Sequence, residues 1–168
     1  HDILYSHGQK SPSKVSVTVN NEDHTNGDML KNVASLVEFL KKREVSSGDR
    51  IAFLAKNSPE FIELMYASSI LKLVMIPINF RLAYEEVKFI IQDSGSKIII
   101  FGEEFKEIVE KLNFDKTDLQ LSLGISELRK LLKTESPVAF DVLSSSNKAT
   151  KTPLFQMYTS GTTGNPKG

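Results

Sequence analysis

The chain has 168 residues, no cysteine, and 21 Lys plus Arg balanced against 21 Asp plus Glu. These figures exclude a disulfide scaffold, a thiolate nucleophile and a cysteine metal site, and leave no net field to attract nucleic acid or an anionic membrane. With 40% hydrophobic and 25% charged residues it has the make-up of a soluble globular protein of one-domain size, and a cysteine-free chain suits a reducing cytoplasm.

Val15, Val17 and Val19 alternate with polar residues, the period of a half-buried strand, and residues 21–27 read as a polar turn. Leu30, Val33, Ala34, Val37 and Leu40 then lie on one face of a helix ending near Arg43. Ser46, Ser47 and Gly48 break that pattern before a short apolar strand at 51–55. Ser58 and Pro59 predict a helix start, serine as cap and proline at the first helical position. Phe61, Ile62, Met65 and Ser69 share one face of this helix, with Phe61 and Tyr66 expected in the core, and it ends near Lys72.

The run 73–78 is apolar without alternation, as in a strand buried on both sides. A helix over 84–92 stops at Asp93-Ser94-Gly95, where the glycine can take the left-handed cap, and 97–101 is another buried strand. Weaker helical patterns cover 104–112 and 126–133, and residues 144–151 are polar and expected to be exposed. No signal-peptide pattern occupies residues 1–20. The longest apolar stretch, 61–80, contains Glu63, Lys72 and Pro77, so it reads as helix then strand and not as a membrane span. Strands alternating with helices predict an α/β fold: a partial three-layer unit with a mostly parallel sheet, whose ligands sit outside the carboxyl ends of the strands.

The chain ends in Tyr158-Thr159-Ser160-Gly161-Thr162-Thr163-Gly164-Asn165-Pro166-Lys167-Gly168, directly after a short apolar run. Glycines let a backbone approach a polyanion and point N–H groups at it. Hydroxyls can donate to phosphate oxygens or ligate magnesium, and a lysine neutralises charge. It is not a Walker loop: counting from Gly161, the second required glycine falls on Pro166, which has no N–H, and Gly168 replaces the terminal Ser or Thr. From composition alone a flexible Ser/Thr/Gly linker is the competing reading.

The string YTSGTTGNPKG resembles the phosphate-loop signature of the adenylate-forming (AMP-binding) superfamily, which includes acyl-CoA synthetases, luciferases and peptide-synthetase adenylation domains. Gly48-Asp49-Arg50-Ile51-Ala52, Asn57-Ser58-Pro59-Glu60-Phe61, VMIPINFRL from Val74 to Leu82, and Asp93-Ser94-Gly95-Ser96-Lys97 look like successive landmarks of that family's N-terminal region. Pro77-Ile78-Asn79 followed by Arg81-Leu82 is similar to the acyl-CoA ligase branch, although Pro77 and Asn79 also serve simply to end a buried strand.

The resemblance implies an ATP-dependent acid–thiol ligase of the kind used in fatty acid metabolism. A carboxylic acid attacks the α-phosphorus of ATP to give an acyl-adenylate and pyrophosphate, and coenzyme A then displaces AMP. By position in the motif, Thr159, Ser160, Gly161, Thr162, Thr163, Gly164 and Lys167 would bind the ATP phosphates, and Thr162 would contact Mg2+. Lys167 is not the family's adenylation lysine, which lies in a C-terminal domain absent here, so no catalytic residue is assigned within the chain. Residues 1–168 are expected to be the N-terminal part of a larger AMP-binding domain, inactive alone, with apolar strand faces exposed where later elements pack. A peptide-synthetase or luciferase-like enzyme, and a truncated non-catalytic interaction protein, are the alternatives.

Local departures from the family pattern are Lys72 where a glycine is usual, Ala83 in place of a Ser or Thr cap, and Thr25-Asn26-Gly27-Asp28 in place of a threonine–tyrosine pair. His1 and His7 read as exposed termini and not metal ligands. Glu85-Glu86 and Glu103-Glu104 read as helical surface charge, and Glu107 with Lys111 as a surface pair.

Overall fold

The computed structural model describes residues 2–112, 114–139, 153–159 and 167–168. In chain order its elements are α1 (Asp2–Lys10), β1 (Val15–Val19), β2 (Glu22–Thr25), α2 (Asn26–Lys41), β3 (Arg50–Leu54), α3 (Pro59–Leu71) and β4 (Val74–Pro77). Next come α4 (Tyr84–Ser94), β5 (Ile98–Phe101), a 3-10 turn at Glu103–Phe105, α5 (Lys106–Glu110), a second such turn at Phe114–Lys116, β6 (Leu121–Gly124) and α6 (Ile125–Thr134).

The continuous apolar runs form one parallel sheet in the order β4-β3-β5-β6, with Ile51 opposite both Met75 and Ile98. Parallel strands need crossovers, and these place helices on both faces. On one face Ile51, Phe53, Met75 and Ile100 pack against α2, α3 and α6. On the other, Ala52, Ile76 and Ile99 pack against Val87, Ile90 and Ile91 of α4 and Val109 of α5. The expected three-layer α/β unit with a parallel sheet is what forms. Bare faces are not seen on the central strands β3 and β5, which are buried through both faces; among the described residues the large exposed apolar side chains are Ile3, Val15, Phe80, Phe114 and Met157, and of these Val15 lies in a strand, β1.

The expected turn at 21–27 is confined to its first residue, for 22–25 form a strand and α2 begins at Asn26. The turn is Asn20-Asn21, both left-handed (φ 52° and 63°), and Glu22–Thr25 pairs antiparallel with β1. A polar strand carries no apolar alternation, so periodicity gives no sign of it; Val15, expected half-buried, is exposed on this small hairpin. Thr25 caps α2, where the Asp28 N–H donates to its hydroxyl oxygen (3.2 Å) and Asp28 accepts from the Thr25 N–H and O–H (3.3 and 2.6 Å). The departure at 25–28 is therefore a capping box. These bonds, the hydroxyl contact first, hold the Asp28 carboxyl below its ordinary range.

On α3 the buried face is Glu60, Glu63, Leu64, Ala67 and Ser68, while Phe61, Ile62, Met65, Tyr66 and Ser69 are half-buried. The helix is apolar nearly all round, so spacing could not choose its inner face. Ser58 occupies the cap position but its side chain makes no cap bond. Lys72 ends the helix left-handed (φ 59°) just as a glycine would, at a cost of about 1 kcal/mol. Before α4, Ala83 supplies no side-chain acceptor, but Glu86 accepts from the Ala83 N–H at 2.9 Å, half of a capping box. The ion pair on α5 is Lys106–Glu110 at 3.7 Å, not Glu107–Lys111. The expected apolar stretch 61–80 divides into α3 and β4, and no helix among the described residues is long and apolar enough to cross a membrane.

Candidate functional site

The segment leading to the glycine-rich loop extends the sheet past its edge. The Met75 N–H donates to the Leu154 carbonyl (2.8 Å) and the Gln156 N–H to the Met75 carbonyl (3.1 Å), so Phe155 bridges Met75 in parallel. The Phe155 ring stacks on Phe61 of α3 (centroids 6.3 Å apart), and Phe61 meets Phe53 edge-on at 5.5 Å. The half-buried face of α3 thus receives this segment.

Tyr158 anchors the start of the loop. Its hydroxyl donates to Asp93 Oδ2 (2.6 Å) and accepts from Gln156 Nε2 (3.0 Å). Burial first, then Asp93, pushes the phenol well above its ordinary range, so the proton stays on the oxygen and Tyr158 acts as a strut. Next, Thr159 and Lys167 form an antiparallel bridge, each N–H donating to the other's carbonyl at 2.9 Å. Gly168 lies on the Tyr158 ring, where a Cβ would come within 2.5 Å of a ring carbon; glycine is the residue that fits. These contacts make a closed neck for residues 160–166. Of the expected phosphate-binding residues, the structure places Thr159 and Lys167 opposite each other at this neck, both exposed. Ser160, Gly161, Thr162, Thr163 and Gly164 lie outside the described residues, as do His1 and the stretch 144–151.

The intervening backbone is short and rich in glycine, and Lys167 has no ion-pair partner among the described residues. Two sequence landmarks are tied to each other, the Lys97 ammonium lying 2.8 Å from the Asp49 carboxylate, and Asp93 of the second holds Tyr158. Asn79 accepts from the Arg81 N–H at 3.0 Å, which gives the PINFRL segment its turn after β4. The anchor lies away from the crevice outside the strands' carboxyl ends, since α4 ends at Asp93–Ser94 and hands over to the amino end of β5. Docking on the edge strand positions the neck. The Asp93–Tyr158 bond links residues 65 apart, which no local pattern could reveal.

Other acidic candidates have structural roles. Glu103 accepts from the Ser126 N–H at 3.0 Å and so caps α6 from a distance, Glu104 lies 3.7 Å from Lys56, and Glu85 lies 3.3 Å from Lys88. His7 is exposed, and no group of three His, Asp or Glu among the described residues could hold a metal.

The profile of the family described as AMP-binding enzyme matches residues 4–168. The chain belongs to the AMP-binding enzyme family. Among similar proteins, the fatty acid–[acyl-carrier-protein] ligase ScoC of Streptomyces coeruleorubidus is 32% identical over 165 residues, 96% of this chain and 30% of its own length. The long-chain-fatty-acid–CoA ligase FadD13 of Mycobacterium tuberculosis is 38% identical over 130 residues, 74% of this chain and 24% of its own. The inhibitor-bound N-terminal domain of FACL13 from Mycobacterium tuberculosis superposes with a TM-score of 0.83 at 32% identity, covering 99% of this chain and 42% of that one. The chain thus spans under a third of the length of these curated AMP-binding relatives.

Proposed function

We propose that this chain is the N-terminal part of a larger adenylate-forming domain and that its loop 159–167 binds the phosphates of ATP. The observation that carries this reading is the Thr159–Lys167 bridge, which brings the two ends of the glycine- and hydroxyl-rich sequence together with an exposed lysine beside them. Family membership and the ligase relatives support it. In the reaction a carboxylic acid attacks the α-phosphorus of ATP, pyrophosphate leaves, and a thiol then displaces AMP to form a thioester. The chain's part is to hold and neutralise the departing β- and γ-phosphates through backbone N–H groups, the hydroxyls of Thr159, Ser160 and Thr163, and the Lys167 ammonium. The described residues offer no carboxylate cluster for a metal, so Mg2+ would be held by phosphate oxygens with the Thr162 hydroxyl. When bound there it would supply charge stabilisation.

Coenzyme A is the thiol that the acyl-CoA ligase relatives favour. The similarity to ScoC over nearly the whole chain supports a second acceptor, the thiol of an acyl carrier protein. Fatty acids head the acid classes named among the relatives, and the reducing cytoplasm is the compartment proposed. Exchange of labelled pyrophosphate into ATP, measured with a panel of carboxylic acids and followed by thioester formation with CoA or carrier protein, tests the reading. Acid-dependent exchange is expected from the larger domain and none from residues 1–168 alone. Exchange by the 168-residue chain overturns the second expectation, and none from the larger domain with any acid overturns the first.

A further inference from the structure

A cavity of about 310 Å3 opens between α2, α3 and α6, and none of its lining residues belongs to the loop neck. Its floor is Glu60 and Glu63, one turn apart on α3 and only 4% and 3% exposed. Arg129 of α6 pairs with Glu60 through Oε1, whereas Glu60 Oε2 is buried with no donor among the described residues within hydrogen-bond distance. Glu63 accepts from Asn32 Nδ2 of α2 at 2.7 Å. The one guanidinium therefore pairs with Glu60 and not with Glu63, and a buried carboxylate oxygen without a donor is costly.

The rim has the opposite sign. Lys31 of α2 and Lys133 of α6 line the cavity, are exposed, and have no ion-pair partner among the described residues. His24 of β2 also lines the cavity, while Asp28, the one rim carboxylate, is committed to the Thr25 cap. An acidic floor beneath a basic rim is complementary to a molecule carrying both charges. An inorganic anion would meet Glu60 and Glu63, and a simple amine would pass two lysines. Nor do they make a metal site: Asp28 and His24 line the cavity, but no group of three His, Asp or Glu among the described residues could hold a metal ion.

We propose that this cavity binds a small zwitterion of the amino-acid class, its ammonium on Glu60 and Glu63 and its carboxylate on Lys31 and Lys133. The volume sits at the lower end of cavities that take small ligands. The site is independent of the phosphate loop, so its failure leaves the ligase reading untouched.

The test is an amide-shift titration of the full chain at pH 8 with glycine, β-alanine and 4-aminobutyrate, probes of increasing charge separation, against methylammonium and acetate. At least one zwitterion should saturate shifts at Lys31, Asn32, Glu63 and Arg129, about tenfold more tightly than either single-charge control. The double variant Lys31→Gln, Lys133→Gln alters only exposed side chains, so the fold survives, and it should weaken that binding about tenfold. Glu63→Gln keeps an acceptor for Asn32 and should weaken it as well. The proposal is overturned if no probe saturates, if methylammonium or acetate binds as tightly as the zwitterions, or if the lysine variant binds unchanged.

Discussion

Glu63 holds its proton more tightly in the folded chain than in the unfolded one. Desolvation raises it from 4.5 to about 7, with the Asn32 hydrogen bond opposing, Glu60 adding to the rise and Arg129 opposing it. Below pH 4.5 folded and unfolded chains both carry the proton, and the contribution of Glu63 to stability is greatest. As pH rises the unfolded chain ionises first, so stability falls until the folded carboxyl ionises near 7, a loss of about 3 kcal/mol. Urea midpoints at pH 5, 6, 7 and 8 should decline for the wild type and much less for Glu63→Gln; parallel curves contradict the assignment. Lys72 makes the second residue-scale prediction. Its left-handed backbone should make Lys72→Gly stabilising by about 1 kcal/mol, read in the same urea experiment, and a destabilised variant would show that Lys72 is not strained. Lys72 stands out in the sequence because a residue type meets a position where a glycine is usual. Glu63 does not, since one carboxylate in an apolar stretch looks the same whether it faces water or the core.

At the scale of elements, legibility follows the amount of apolar pattern. β3, β4 and β5 are buried on both faces and are readable as unbroken apolar runs, and Gly95 ends α4 left-handed as its position after Asp93-Ser94 predicts. β2 (Glu-Asp-His-Thr) and β6 (Leu-Ser-Leu-Gly) have no such run; β2 is held by pairing with β1 and β6 by pairing with β5. Phe61, Ile62, Met65 and Ser69 do share a side of α3, but it is the half-buried one, where Phe61 receives Phe155, a contact that spacing does not encode. The remote cap on α6 is similar: Glu103 reads as charge at the start of its own turn, yet its carboxylate also serves Ser126. Glu103→Ala should destabilise the chain by about 1 kcal/mol, with the loss concentrated in faster amide exchange along α6. Unchanged exchange there would contradict the capping role.

For the whole molecule, three layers of helix, parallel sheet and helix place Met75 at an edge where one more segment can join, and the loop neck hangs from that edge. The glycines, hydroxyls and lysine of the loop are plain in the sequence because they are contiguous. Their support is not: Phe155 on Phe61, Tyr158 on Asp93, and Gly168 under the Tyr158 ring are contacts that only the fold brings together. Breaking the strut with Tyr158→Phe should leave overall stability within about 1.5 kcal/mol while loosening the neck, seen as faster exchange of the Thr159 and Lys167 amides. Exchange that stays slow there would mean that the bridge needs no anchor.

The decisive measurement is the affinity of the larger AMP-binding domain for MgATP with Lys167 replaced by alanine. Lys167 is exposed at the neck, so its loss would remove the proposed phosphate contact without emptying the core. Losing one charge-assisted contact should weaken MgATP about 10- to 100-fold and raise the KM for ATP in pyrophosphate exchange to match. Unaltered MgATP affinity in a folded Lys167→Ala protein would contradict the assignment of this loop to the phosphates.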